Sequence, residues 1–205
     1  KFTSNGQFIG KWGIFGTGSG QFRQPLSIQV DKLDNILVAD WDNHRIQKFG
    51  ATGTYLQTIG SCCVGNDRLN LPTCVAVDNE NNILTADWFH NGVKKFTSQG
   101  SFVSIFGKSS NANGQLSRPH GLAVDADGNI YVADMAHHRI QKFNSAGQFA
   151  FSWGSLGQGD GQFFWPHGIA IDKSGNIYVT DGDNHRIQKF TSSGVFVAKG
   201  GGHGS

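Results

Sequence analysis

The 205-residue chain contains only three cysteines, four prolines and one methionine, and its charged residues make up 16% of the total. Cys62, Cys63 and Cys74 are an odd number, so they do not build the paired framework of a disulfide-stapled domain. They also lack the two separated pairs of a zinc ribbon. The low charge content excludes a charge-rich disordered chain. Seventeen Lys and Arg against 15 Asp and Glu leave a net charge of +2, no bulk signal for nucleic acid. No apolar run approaches the ~20 residues of a membrane helix, no basic-then-apolar leader opens the sequence, and no segment carries a helical period. What the chain has in abundance is glycine, 29 residues, together with 16 Phe and 5 Trp. That combination predicts many tight turns joining short strands around an aromatic core.

The scarce residue sets the frame. Pro25, Pro72, Pro119 and Pro166, all the prolines present, recur at a constant step of 47 residues. Asp40, Asp87, Asp134 and Asp181 keep the same step, as do Asn35, Asn82, Asn129 and Asn176, and Phe49, Phe96, Phe143 and Phe190. The phase divides the chain into repeats 14–60, 61–107, 108–154 and 155–201, with residues 1–13 as the tail of an earlier copy.

Each repeat reads as four short strands. A run of large and small apolar residues follows the proline, as in Gly121-Leu122-Ala123-Val124, and suits an innermost strand buried on both faces. A two-residue turn such as Asp127-Gly128 leads into Ile130-Tyr131-Val132-Ala133. A second turn, Asp-x-x-Asn-His in repeats one and four, opens Arg-Ile-Gln-Lys-Phe, and a fourth strand carries Tyr55, Phe102, Phe149 or Phe196. The predicted fold class is therefore all-β, a propeller of four-stranded antiparallel blades. Four blades are complete, and residues 7–13 are expected to be an extra outer strand of a preceding blade.

The hexapeptide His-Arg-Ile-Gln-Lys-Phe is identical at residues 44–49, 138–143 and 185–190, and Asn43-His44 and Asn184-His185 precede Arg-Ile. With Gln-Phe-x-x-Pro at residues 21–25 and 162–166, the chain resembles the NHL repeat along essentially its whole length. Repeat two departs, with His90-Asn91-Gly92-Val93 in place of Asn-His-Arg-Ile. The resemblance implies a six-bladed ring, of which this chain would supply part; the alternative is closure with a second copy. The repeated Asp and His residues are expected to be structural, the carboxylates accepting turn N–H groups and the turn asparagine taking a left-handed backbone.

Two sets of residues stand out as candidate sites. His120 and His167, each directly after the proline that opens an innermost strand, are expected to point toward the axial channel, where converging neutral imidazoles suit zinc; calcium is the other metal expected in the channel. Their placement resembles the zinc-ligand positions of peptidyl-hydroxyglycine amidating lyase, although Leu26 and Thr73 hold the equivalent positions in the other repeats. Trp41, Trp88 and Phe89, in the second turns, are candidates for a binding face. Lys48, Lys95, Lys142 and Lys189 recur once per repeat and are expected to spread charge around the rim. Cys74 is read either as a buried free thiol or as bridged to Cys62 or Cys63. The glycine-rich loops lack the Lys-Ser or Lys-Thr of a phosphate loop.

The leading expectation is a non-enzymatic scaffold, without a cofactor, that binds a protein, peptide or glycan through its loop faces. The alternatives are a metal-dependent lyase or hydrolase at the channel, using His120 and His167, and single-stranded RNA binding as in tripartite-motif NHL proteins.

Overall fold

The computed structural model describes residues 1–60, 65, 67–108 and 112–202. Cys62 and Cys63 lie outside the described residues, and Cys74 carries a free thiol. A short parallel pair, β1 (Ile14–Phe15) and β2 (Gln21–Phe22), leads into blade one: β3 (Pro25–Val30), β4 (Ile36–Asp40), β5 (Arg45–Phe49) and β6 (Tyr55–Ile59). Blade two is β7 (Pro72–Val77), β8 (Ile83–Asp87), β9 (Gly92–Phe96) and β10 (Phe102–Phe106). Blade three is β11 (Pro119–Val124), β12 (Ile130–Asp134), β13 (Arg139–Phe143) and β14 (Phe149–Trp153). Blade four is β15 (Pro166–Ile171), β16 (Ile177–Asp181), β17 (Arg186–Phe190) and β18 (Phe196–Gly201). Each blade is an antiparallel meander whose strands pair in chain order.

The innermost strands β3, β7, β11 and β15 lie side by side in sequence, which makes the arrangement a propeller arc. Alternating residues cover the two faces of each blade. Leu37, Ala39, Ile46 and Ile59 on one face of blade one pack against Val75, Ile83 and Phe96 of blade two. The same pattern repeats between Leu84, Ala86 and Val93 and Leu122, Ile130 and Phe143, then between Tyr131, Ala133 and Ile140 and Ile177, Val179 and Phe190. Burying one such side chain contributes about 1.5–3 kcal/mol. Three core clusters are thus copies of one interface, and a fourth, Ile36, Val38 and Phe49, packs against Trp12, Phe22 and Tyr55.

Residues 7–13, expected as an extra outer strand, lie in none of the strands, and within 1–13 a single antiparallel bridge joins Phe2 to Phe8. Trp12 nevertheless reaches the Phe49 ring, 6.4 Å away between centroids.

Candidate binding face at one end of the arc

The second turn of each blade closes over a buried carboxylate. Asp134 is fully buried; its Oδ1 accepts the Ser117 amide at 2.7 Å, and its Oδ2 accepts His137 Nδ1 at 2.9 Å, Arg139 Nε at 2.8 Å and Gln141 Nε2 at 2.8 Å. Asp40 and Asp181 do the same with Asn43, Arg45 and Gln47, and with Asn184, Arg186 and Gln188. Each arginine also donates to carbonyls of the loop that enters its blade, Gly18 and Gln21 in the case of Arg45. The carboxylate therefore joins loop, turn and third strand, and its full set of donors explains why it recurs in every blade.

The left-handed residue of this turn is the histidine, not the asparagine expected from sequence. His44, His138 and His185 have φ of 54°, 55° and 52°, and Asn91 replaces them in blade two at 53°. The preceding Asn43 ends a single 3-10 turn, from which its amide reaches back to Asp40. From the left-handed position His44 Nδ1 accepts the Leu71 amide and His138 Nδ1 accepts the Trp165 amide, each at 3.2 Å, while Asn91 Oδ1 accepts the Arg118 amide at 2.8 Å. These bonds link each blade to the next. Burial and the neighbouring His137 lower the His138 pKa, which favours the neutral, accepting ring.

All these turns meet the segments before the prolines. The Trp41 amide donates to the Gln24 carbonyl, the Trp88 amide to Leu71, the Ala136 amide to Ser117 and the Gly182 amide to Trp165. One end of the arc thereby collects both sets of candidate residues. Trp41 and Trp88, half-buried on adjacent blades, meet edge to face at 5.7 Å, and Arg118 lies over the Trp88 ring at 4.9 Å. Phe89 beside them is 58% exposed. Toward blade four the same end presents Phe164 and Trp165, Phe164 packing on His138 at 5.6 Å. Arg118, Phe164 and Trp165 were not singled out from sequence; their signal is position, next to or near the repeated proline where the interblade loop surfaces.

His120 and His167 are brought together, their ring centroids 4.7 Å apart. Burial and the neighbouring His167 push the His120 pKa down to about 4. The His167 ring rests 2.9 Å from where a Cβ on Gly182 would stand, so a side chain like Trp41 or Trp88 at that position would strike it. Thr73, their equivalent in blade two, donates its hydroxyl to the carbonyls of Pro119 and His120 and braces β11. A metal in a protein cage needs three or four donors, and among the described residues no group of three or more His, Cys, Asp or Glu converges. Two imidazoles alone do not fit a tetrahedral site.

The repeated lysines do not form a free basic rim. Lys48 pairs with Asp31 at 2.8 Å, Lys95 with Asp78 at 2.8 Å and Lys142 with Asp125 at 3.8 Å, and Lys189 lies over the Tyr178 ring at 5.2 Å. Their charge is spent on the hairpins between the first and second strands.

Comparison with known proteins agrees with this architecture. The NHL-repeat family model matches residues 22–49, 116–143 and 163–190, in blades one, three and four. Protein brain tumor of Drosophila melanogaster and B-box type zinc finger protein ncl-1 of Caenorhabditis elegans are each 44% identical over 45 residues, 22% of this chain. The matched stretches are only 4% and 5% of those proteins' own lengths. Among solved structures, a virginiamycin B lyase from Staphylococcus aureus superposes with a TM-score of 0.70 at 15% identity, covering 98% of this chain and 61% of the lyase. A streptogramin B lyase gives 0.67 at 16% identity, covering 85% and 53%. At such identities the likeness concerns the fold. With the repeated motif, the four blades and the matched stretches in hand, the chain is an NHL-repeat β-propeller protein.

Proposed function

We propose that this chain is a non-enzymatic interaction module whose binding face is the end of the arc carrying Trp41, Trp88, Phe89 and Arg118. The observation that carries this reading is a contrast in commitment. The repeated polar residues are occupied by internal hydrogen bonds, whereas the aromatic residues in the turns remain partly or largely open to solvent. Flat aromatic rings beside a guanidinium suit an extended peptide or a glycan, which stack and hydrogen-bond at once. Single-stranded RNA is the less favoured ligand, because the lysines that would track a phosphate backbone are already paired. Screening the chain on peptide and glycan arrays tests the face. Phe89→Ala combined with Trp41→Ala is expected to weaken a selected ligand at least ~10-fold; unchanged binding would remove the face from consideration.

A second reading, a metal-dependent lyase or hydrolase at the channel mouth, is favoured only by the contact between His120 and His167. Its test is metal content of the purified protein. Stoichiometric zinc or calcium that disappears in His120→Ala plus His167→Ala would put this reading in place of the first.

A further inference from the structure

One cation on the aromatic end face has no anion. Arg45, Arg139 and Arg186 hold the buried aspartates of their own blades at 2.9, 2.8 and 2.8 Å. Arg118 is exposed, and among the described residues it pairs with no carboxylate; its guanidinium lies over the Trp88 ring instead. The turns on either side of it, which reach it through Asn91 Oδ1 on its own amide and the Ala136 amide on the Ser117 carbonyl, bring no free acid. Asp87 and Asp134 are fully buried and already paired with Lys94 and Arg139. The turn position that carries Asp42 and Asp183 in blades one and four carries Phe89 and Ala136 in blades two and three.

The backbone at Arg118 takes a conformation that arginine does not favour. Its φ is 50° immediately before Pro119, in the left-handed region that suits glycine, asparagine or aspartate. The same position is left-handed in all four blades, where Gln24, Leu71, Arg118 and Trp165 have φ of 53°, 58°, 50° and 58°. None of the 29 glycines is used there. The left-handed position of the first turns is different, since Asp34, Asn81, Gly128 and Gly175 are all residues that tolerate it. Before the proline the backbone stays constant while the side chain changes in kind from blade to blade, the pattern of a position that faces a ligand rather than one that serves folding.

We propose that Arg118 anchors a carboxylate of an acidic peptide, with Phe89 receiving an adjoining apolar side chain; this rests on the aromatic end being the binding face. The stack on Trp88 orients the guanidinium plane, and a carboxylate meets its outward N–H groups in the bidentate geometry that arginine favours. A glycan fits less well. A sugar stacking on Trp88 competes with the guanidinium for the ring, which Trp41 already meets edge to face, whereas a carboxylate leaves that stack in place. Phe89, next to Trp88 in the chain, is the open apolar contact. The carboxylate belongs to an aspartate or glutamate side chain or to a peptide C-terminus, two sources that the experiment separates.

Three immobilised libraries of degenerate heptapeptides test this on the full chain. One is amidated at the C-terminus with Asp or Glu fixed at the centre, one is amidated with Asn or Gln there, and one has Asn or Gln at the centre and a free C-terminal carboxylate. The wild type is expected to retain one of the carboxylate-bearing libraries at least ~10-fold better than the neutral one. Arg118→Gln is expected to abolish that preference, and Arg118→Lys, which keeps the charge without the planar fork, to recover only part of it. Glutamine already holds the same backbone conformation in blade one as Gln24, so circular dichroism of Arg118→Gln should match the wild type. Equal retention of all three libraries, a preference for carboxylate that survives in Arg118→Gln, or retention of none overturns the anchor. Equal retention that still falls in Phe89→Ala plus Trp41→Ala, or retention of glycans in place of peptides that falls in the same variant, leaves the end face standing with another ligand class. Binding of peptide or glycan that is indifferent to Phe89, Trp41 and Arg118 alike removes the face together with the anchor.

Discussion

Blades two and three are one 47-residue step apart and solve the same problem with different residues. Asp134 in blade three is neutralised by Arg139 at the start of β13 and hydrogen-bonded by Gln141 two residues on. In blade two glycine takes the arginine position, and the cation moves to the glutamine position: Lys94 Nζ lies 2.9 Å from Asp87 Oδ2 and also donates to the Arg68 carbonyl. His90 Nδ1 adds a contact to Asp87 at 2.8 Å, as His137 does to Asp134. The lesson is that the blade requires a buried carboxylate with one cation and its remaining lone pairs satisfied, rather than a particular motif.

The largest effects should come from removing the carboxylate itself. Asp134→Ala and Asp87→Ala each leave a buried cation unpaired, and urea unfolding is expected to show a loss of about 3–5 kcal/mol for either. Sharper still is exchange of the two solutions. Lys94→Gln, which copies blade three, removes the lysine from Asp87 and should be destabilising, and adding Gly92→Arg should restore most of the loss. The added side chain must ease a contact of 3.0 Å between its Cβ and the Phe106 carbonyl. If the double variant were no more stable than Lys94→Gln alone, the two blades would not be equivalent solutions.

This comparison also marks what the sequence could reveal. Pro72 and Pro119, Asp87 and Asp134, and Phe96 and Phe143 carried the blade architecture unaided, because a period of 47 and a strand alternation of two are visible in one dimension. The role of Lys94 was not legible, since the repeat aligns it with a neutral glutamine and gives no sign that its ammonium reaches Asp87. Nor was the exchange of duties between Asn and His, which depends on the left-handed φ of the second residue. The end face was half legible. Trp41 and Trp88 announced themselves by being unusual in their turns, but Arg118 owes its position over Trp88 to the contact between neighbouring blades, a relation that one repeat does not contain.

The channel mouth distinguishes the same two blades by pH. Blade two has Thr73 where blade three has His120, whose pKa burial and His167 depress to about 4. An unfolded histidine titrates near 6.5, so between about 6.5 and 4 the unfolded chain binds the proton that the folded chain refuses. The histidine's contribution to stability is therefore intact above this window and falls with pH through it, by at most ~3 kcal/mol. His120→Thr, which installs the blade-two residue, should flatten the difference between unfolding measured at pH 7 and at pH 4. A variant as acid-sensitive as the wild type would assign that sensitivity to other groups.

The smallest effects test whether Asn91 and His138 are interchangeable. Both sit at positive φ, and both accept the amide of the residue before the next blade's proline. Asn91→His and His138→Asn keep an acceptor in place, and asparagine tolerates the left-handed region better than most residues, so each is expected to change stability by no more than ~0.5 kcal/mol. Alanine loses both the acceptor and the ease of that backbone conformation. Glycine keeps the ease of that backbone conformation but loses the acceptor together with the ring's packing on Phe164, and therefore sets an upper bound on the interblade hydrogen bond, about 1 kcal/mol. The expected order of stability at position 138 is thus histidine and asparagine together, then glycine, then alanine. Glycine matching histidine would mean that the bond to Trp165 contributes nothing and that the backbone conformation alone selects the residue. Asparagine falling to the level of alanine would mean that the imidazole's packing on Phe164, which blade two lacks because Arg118 and its neighbours replace that aromatic pair, is what blade three requires of its histidine.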